Sequence, residues 1–193
     1  MNIQTLLKSA PNYDAIKAKQ NAAWGSGDYS KVGVTLQITG EELAEAMDMN
    51  IDDKVLDVAA GNGNATLAFA RRFCSVTSTD YVSELLDASK QRASAEGLLI
   101  NYQVADAENL PFESDTFDAV VSTFGVMFTP NQKQAASELQ RVVRSGGKIG
   151  LANWTPDSFI GQLFKTLGKH LPPPSGVSSP ALWGSKDWIE EVF

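Results

Sequence analysis

The stretch Val55-Leu56-Asp57-Val58-Ala59-Ala60-Gly61-Asn62-Gly63-Asn64 decides how the rest of the chain is read. An apolar strand runs through an acidic residue into a glycine-rich turn. Gly61 and Gly63 permit backbone torsions closed to other residues and let a ligand lie against the main chain. Asn64 to Arg72 reads as the helix that follows, and strand, glycine turn and helix in that order make a nucleotide-binding turn.

Outward from this turn, apolar runs alternate with helical patterns. Lys54 to Val58, Ser75 to Thr79, Ile100 to Val104, Ala119 to Ser122 and Lys148 to Asn153 read as five strands, short and apolar enough to be buried in a parallel sheet. Thr39 and Glu42 form a capping box for a helix to about Met49, and Val82 to Glu96 form another helix with Leu85, Leu86, Ser89 and Ala93 on one side. Thr129, Pro130 and Gln132 predict a cap, a first-turn proline and a capping-box partner. Ala135, Leu139, Val142 and Val143 follow at helical spacing, and Gly146-Gly147 form the stop. This alternation implies a doubly wound, Rossmann-like α/β sheet, mainly parallel, with helices on both faces. The chain divides into an N-terminal helical or lid segment (1–38), a ligand-binding core (39–154) and a C-terminal helical segment on the substrate side (155–193).

Composition narrows the partners. With 193 residues the chain suits one domain that buries roughly two-thirds of its unfolded surface. Sixteen basic and 23 acidic side chains leave a net charge of -7, which disfavours nucleic acid and anionic lipid and favours a small molecule. A single cysteine, Cys74, excludes an intramolecular disulfide and a multi-thiolate zinc site, and a single histidine, His170, leaves few imidazole ligands, so no metal is expected. Met1 to Ala10 holds only Ile3, Leu6 and Leu7 as large apolar residues, too few for a signal peptide or a membrane span, and a cytoplasmic location fits.

Ligands of such sheets bind at the carboxyl ends of the strands, and this rule sorts the acids. Asp57, Asp80 and Asp106 lie at or just past strand ends, whereas Asp118 begins a strand and Asp115 precedes one. Asp80 follows Gly61 by 19 residues, close to the spacing of about 20 at which a carboxylate ending the second strand accepts from ribose hydroxyls. The competing reading of Asp80 is an N-cap for the helix from Val82. Asp106, with Ala107, is placed beside an adenine ring, or else caps a turn. A dinucleotide-binding G-x-G-x-x-G pattern would need a small residue at position 66, where this chain has the β-branched Thr66. Asp57 would repel a pyrophosphate, yet suits a ligand bearing an ammonium and a sulfonium. S-adenosylmethionine has both, together with a ribose for Asp80, an adenine for Asp106 and no phosphate.

On these residues the chain resembles the class I S-adenosylmethionine-dependent methyltransferases, in the small-molecule group with the ubiquinone and menaquinone biosynthesis type. Val55 to Gly63 is similar to that family's first motif, Ser78 to Ala88 to its second-strand acid and helix, and Val104 to Phe117 to its third. Phe117 to Val126 and Arg141 to Trp154 resemble the fourth and fifth. The resemblance implies cofactor contacts from Asp57, Ala59, Gly61, Gly63, Asp80, Tyr81, Asp106, Ala107, Ser122 and Thr123. One departure is Ala59, which stands at the usual first glycine of the turn. The resemblance also implies methyl transfer to a small-molecule acceptor by in-line displacement. A nicotinamide-dependent oxidoreductase and a non-catalytic binding module are the alternatives.

Outside the core, Ala23 to Tyr29 combines two aromatics with glycines and reads as a lid or as a surface-anchored loop. Ser158 to His170 reads as an amphipathic helix with Phe159, Leu163, Phe164 and Leu167 inward, and Leu171 to Gly176 as a breaker crossing the substrate pocket. His170 is a candidate base or a helix C-cap, Cys74 reads as packing, and Met127 and Phe128 line the substrate pocket or belong to the core. No catalytic residue stands out. The family sheet carries two further strands beyond the fifth, so the sequence reads as ending before them; the other possibility is that a second chain covers that edge.

Overall fold

A computed structural model describes residues 11–193, and the sequence reading of Met1 to Ala10 lies outside them. In chain order the elements are helix α1 (Tyr13–Gly25), α2 (Ser30–Gly33), a 3-10 turn (Val34–Leu36), α3 (Gln37–Met47), strand β1 (Lys54–Val58), α4 (Asn64–Arg71), β2 (Ser75–Asp80), α5 (Ser83–Ala95), β3 (Asn101–Val104), β4 (Phe117–Thr123), a second 3-10 turn (Val126–Phe128), α6 (Gln132–Val142), β5 (Val143–Ala152), α7 (Phe159–His170), a third 3-10 turn (Pro180–Gly184) and α8 (Lys186–Val192). The five strands pair in parallel in the order β3-β2-β1-β4-β5, a doubly wound α/β sheet with its reversal between β1 and β4.

The period of two along β1 splits the core into its two layers. Val55 packs with Val76, Ala119 and Val121 against Ala44 and Met47 of α3 and Ala65, Ala68 and Phe69 of α4. Leu56 and Val58 face the other way, onto Val120, Ala135, Leu139, Val142 and Trp183. Asp57 therefore belongs to the Val55 face and points toward α4. The outer strands are less enclosed than the sequence suggests: β3 is a largely exposed edge strand, and β5 is mostly half-buried or exposed.

Several boundaries differ from the sequence reading, each for a local reason. Thr39 lies inside α3, because the 3-10 turn runs directly into it: the Gln37 amide donates to Val34 O, and Leu36 caps the helix with no side-chain bond. The helix ends at Met47, where Asp48 turns left-handed at φ 44°. Asn131 caps α6 in place of Thr129, accepting from the Gln134 amide at 3.3 Å, while the Thr129 hydroxyl donates to Val126 O at 2.8 Å. Gly146-Gly147 do not stop α6, since Val143 is already extended and opens β5. They instead turn an outward loop between the Phe117–Val143 and Ala119–Lys148 pairs, closed by Arg144 donating to Asp118 at 2.6 Å. On α7 only the inner flank packs. Phe164 reaches the core, but Phe159 is 81% exposed and Leu163 and Leu167 are 40% and 47% exposed, contrary to their expected inward placement. Among the described residues no helix is long and apolar enough to cross a membrane.

Helices α3 and α4 cross with no space at Gly40, where an added Cβ would stand 2.7 Å from the Asn64 carbonyl. Alanine in an exposed helix interior is worth about 1 kcal/mol over glycine, so the contact and the propensity oppose each other. Because the obstructing atoms are backbone, Gly40→Ala is expected to destabilise the fold by about 1–3 kcal/mol in urea unfolding. A stabilised variant would show that the crossing yields.

Candidate functional site

The carboxyl ends of β1, β2, β3 and β4 open into a cleft of about 880 Å³ measured out to its mouth. Its floor is the turn after β1. Gly61 is left-handed at φ 56° and its amide donates to Asp80 Oδ2 at 2.9 Å. The other Asp80 oxygen accepts from the Val82 amide, also at 2.9 Å, so one carboxylate joins the glycine turn to the start of α5. The N-cap reading of Asp80 does not hold: Val82 is the N-cap of α5 and has no side-chain bond, while Asp80 turns the chain into the helix through the Val82 amide and stands on the cleft wall. Arg92 braces the turn from outside, donating to Asn62 O at 2.7 Å and to Asn64 Oδ1 at 2.9 Å.

Of the residues singled out in the sequence, Ala59, Gly61, Asp80, Tyr81, Asp106, Ala107 and Thr123 line the cleft, and Asp57, Gly63 and Ser122 do not. Each exception has a structural task. Gly63 caps α4 at φ 84° and sits so close to α5 that a Cβ would meet Ser89 Oγ at 2.0 Å. Ser122 is buried and stitches the sheet, donating to Val58 O at 2.7 Å and accepting from the Val126 amide at 3.2 Å. Asp57 is wholly buried on the α4 side, where Thr66 donates to its Oδ2 at 2.6 Å and its Oδ1 has no hydrogen-bond partner. The β-branched Thr66 that disfavoured a dinucleotide turn is also the partner that holds this acid; it lies 3.0 Å from Ser78 Oγ as well.

Burial dominates the electrostatics. It pushes the Asp57 carboxyl up to about 7, against the lowering effect of its Thr66 bonds and with a further push from Asp80. Asp80 is also raised, by burial, although the amides of Val82, Gly61 and Tyr81 work the other way. Tyr29 and Tyr81 are raised by burial and then by neighbouring carboxylates, so both phenols on the wall are protonated hydrogen-bond donors at neutral pH. Burial lowers the Lys17 ammonium, but its bonds to Asp106 and Glu108 more than reverse this.

The structure adds residues that no motif flagged. These are Lys17 and Gln20 of α1 and Leu36; Trp24 joins them from the expected lid, and Asn62, Asn64, Glu108 and Phe124 from within the motif stretches. Lys17 donates to Asp106 Oδ2 at 2.7 Å and lies 3.2 Å from Glu108 Oε2; Glu108 also accepts from the Asn131 amide at 2.6 Å. From the expected lid, Trp24 and Tyr29 both face the cleft, Trp24 meeting Tyr29 and Phe128 edge-on at centroid distances of 5.6 and 5.2 Å. Phe128 lines the cleft, whereas Met127 is fully buried in the core. Leu171 to Gly176 do not line it, nor does His170, which is exposed at the end of α7. Cys74 is buried in the layer beside α3 and α4, as packing predicts.

Ala59, the departure from the glycine pattern, is left-handed at φ 52°. Its methyl fits because the facing residue is Gly125, where a Cβ would meet Ala59 O at 2.2 Å and Ala59 Cβ at 2.6 Å. Beside it Phe124 is also left-handed, at φ 59°, and stacks on Trp154 at 4.4 Å. Two strained non-glycine residues thus face each other at the strand ends, where strain concentrates at functional sites.

A doubly wound sheet with its cleft at the strand reversal defines the class of protein: a Rossmann-like α/β domain. Residues 56–151 match the family described as the methyltransferase domain, and the chain belongs to the class I S-adenosylmethionine-dependent methyltransferases. It is 42% identical over 172 residues to an uncharacterised protein of Mycobacterium tuberculosis, covering 88% of this chain and 63% of that relative. To a ubiquinone/menaquinone biosynthesis C-methyltransferase of Geotalea daltonii it is 34% identical over 119 residues, covering 59% of this chain and 50% of that one. The chain therefore spans less than two-thirds of the length of these curated relatives. Its fold matches the crystal structure of an Aquifex aeolicus methyltransferase with a TM-score of 0.63 at 18% identity, covering 86% of this chain and 88% of that one.

The buried Asp57 has a measurable consequence. A carboxyl in the unfolded chain titrates near 3.9, and in the fold it titrates at about 7. Between those values the folded protein holds a proton that the unfolded chain has released, so stability is intact at the acid end and declines as the pH rises, by an amount of roughly 4 kcal/mol once both are ionised. In urea unfolding at pH 5 and pH 8, Asp57→Asn is expected to gain on the wild type by a few kcal/mol at the higher pH. A difference independent of pH would mean that Asp57 is not desolvated as described.

Proposed function

We propose that this cleft binds S-adenosylmethionine and that the protein transfers its methyl group to a small-molecule acceptor. The observation that carries this reading is the occupied Gly61 amide. In a dinucleotide site such an amide would serve the pyrophosphate, whereas here the Asp80 carboxylate takes it and Asp106 and Glu108 add further negative charge to the wall. Such a lining repels phosphate and accepts from hydroxyls, amines and cations.

In this reading Asp80 accepts from the ribose hydroxyls with its remaining lone pairs, and the turn from Ala59 to Gly61 lies along the ligand. Asp106 and Ala107 bound the adenine. Thr123 and Phe124, at the end of β4, face the reacting end. Asp57 acts from behind the turn by fixing α4 through Thr66, since it has no place on the wall. When bound, the cofactor supplies a methyl already activated on a sulfonium, which an acceptor nucleophile displaces in line to release S-adenosylhomocysteine. The protein then contributes mainly alignment and exclusion of water, and good positioning is worth about 7–11 kcal/mol of barrier.

The acceptor side is formed by Trp24, Tyr29, Leu36, Phe124 and Phe128, an apolar and aromatic wall that suits a small organic molecule. Neither His170 nor Cys74 is on the wall, so any proton removed from the acceptor passes to a carboxylate or to water. The quinone-pathway name of the Geotalea daltonii relative supports a small acceptor, and the net charge of -7 argues against nucleic acid.

Isothermal titration calorimetry with S-adenosylhomocysteine tests this directly. Binding is expected for the wild type, with affinity lowered about ten- to a hundredfold in Asp80→Ala. Tight binding of NAD with no response to S-adenosylhomocysteine would support an oxidoreductase instead. Binding without methyl transfer to any member of a metabolite pool would leave a non-catalytic binding module.

A further inference from the structure

Helix α1 roofs the cleft without being part of the core. None of its residues is buried. It is held by one face, in which Lys17, Gln20, Asn21 and Trp24 fall at the i, i+3, i+4 and i+7 positions. Gln20 donates to Phe128 O at 2.9 Å and Asn21 to Tyr81 O at 2.7 Å, so each reaches a backbone carbonyl beyond a strand end. Trp24 packs edge-on against Phe128. Lys17 is the charged contact, spanning Asp106 and Glu108. One helical face therefore touches the segments that follow β2, β3 and β4.

We propose that Lys17 is a positioning residue that latches α1 over the cleft and holds Asp106 and Glu108 in the orientation that receives the ligand. This proposal rests on the cleft being the cofactor site. A helix with no buried residue has little apolar surface to lose on lifting, so its polar contacts set how often it opens. Lys17, Gln20 and Trp24 also line the cleft, so a ligand that fills it exchanges when α1 lifts. The Glu108 side chain is 5% exposed and that of Lys17 is 21% exposed, which makes the latch a partly desolvated ion pair. Without the ammonium, two neighbouring carboxylates at the nucleobase end face each other with no cation between them, and breaking a buried pair is costly because the leftover charge is uncompensated. Lys17 thus sets both the closure of the roof and the posture of the acids beneath it.

The test compares wild type, Lys17→Met and Lys17→Arg. In the ligand-free protein, hydrogen exchange of the α1 amides is expected to accelerate about tenfold or more in Lys17→Met and to return toward wild type in Lys17→Arg, whose guanidinium can still span both acids. S-adenosylhomocysteine affinity by calorimetry should fall about ten- to a hundredfold in Lys17→Met and be rescued by Lys17→Arg. Unchanged α1 exchange and affinity in Lys17→Met would overturn the latch, as would failure of Lys17→Arg to rescue. If the wild type itself does not bind S-adenosylhomocysteine, the cofactor reading falls, and the exchange comparison still decides whether Lys17 fastens the helix.

Discussion

The geometry of the cleft depends on the two hydrogen bonds accepted by Asp80. One oxygen holds the Gly61 amide and the other the Val82 amide, so a single buried carboxylate fixes the turn after β1 relative to the helix after β2. Both bonds are charge-assisted and lie in a poorly hydrated site, where such contacts are strongest. Raising the carboxyl by burial is the cost of placing it there; accepting from amides is what keeps it an acceptor. With that acid in place, the Gly61 amide is already engaged and a carboxylate stands where a phosphate would approach it.

Much of this was legible in the sequence. All five strands were visible as apolar runs, and β1 begins and ends where it was read, because a strand buried on both faces leaves a continuous signature. The acids at Asp80 and Asp106 were legible from their positions at strand ends. Asp57 lies at a strand end yet away from the cleft, because side chains alternate along β1: Val55 faces α4, so Asp57 does as well. Ser122 follows the same logic, turning inward to the backbone where Thr123 turns to the cleft. Gly63 looks like a ligand contact in the sequence, yet its lack of a side chain is required by Ser89 of α5, a residue 26 positions away that no local pattern reveals.

Helix boundaries failed in a consistent way. Thr39, Thr129 and the Gly146-Gly147 pair all look like punctuation, but the preceding 3-10 turn, Asn131 and the early extension of Val143 supersede them. Exposed Phe159, Leu163 and Leu167 show that an apolar stripe on α7 is not by itself a statement of what it packs against. Lys17 was invisible for the opposite reason. Its importance comes from partners 89 and 91 residues along the chain, at Asp106 and Glu108, and a lone lysine on a polar helix carries no motif.

The interlock of Ala59 with Gly125 has an evolutionary consequence. The turn after β1 and the loop after β4, which bound the cleft from two sides, share one backbone contact with no slack. Substitutions that reshape the wall around Phe124 therefore cannot be sampled independently of the turn: a side chain gained at position 125 would meet the Ala59 carbonyl oxygen at 2.2 Å as well as its methyl at 2.6 Å, so the backbone of the turn would have to shift with it. Side-chain changes at Trp24, Tyr29 and Phe128 leave that backbone contact in place, so the aromatic wall can vary before the strand ends do.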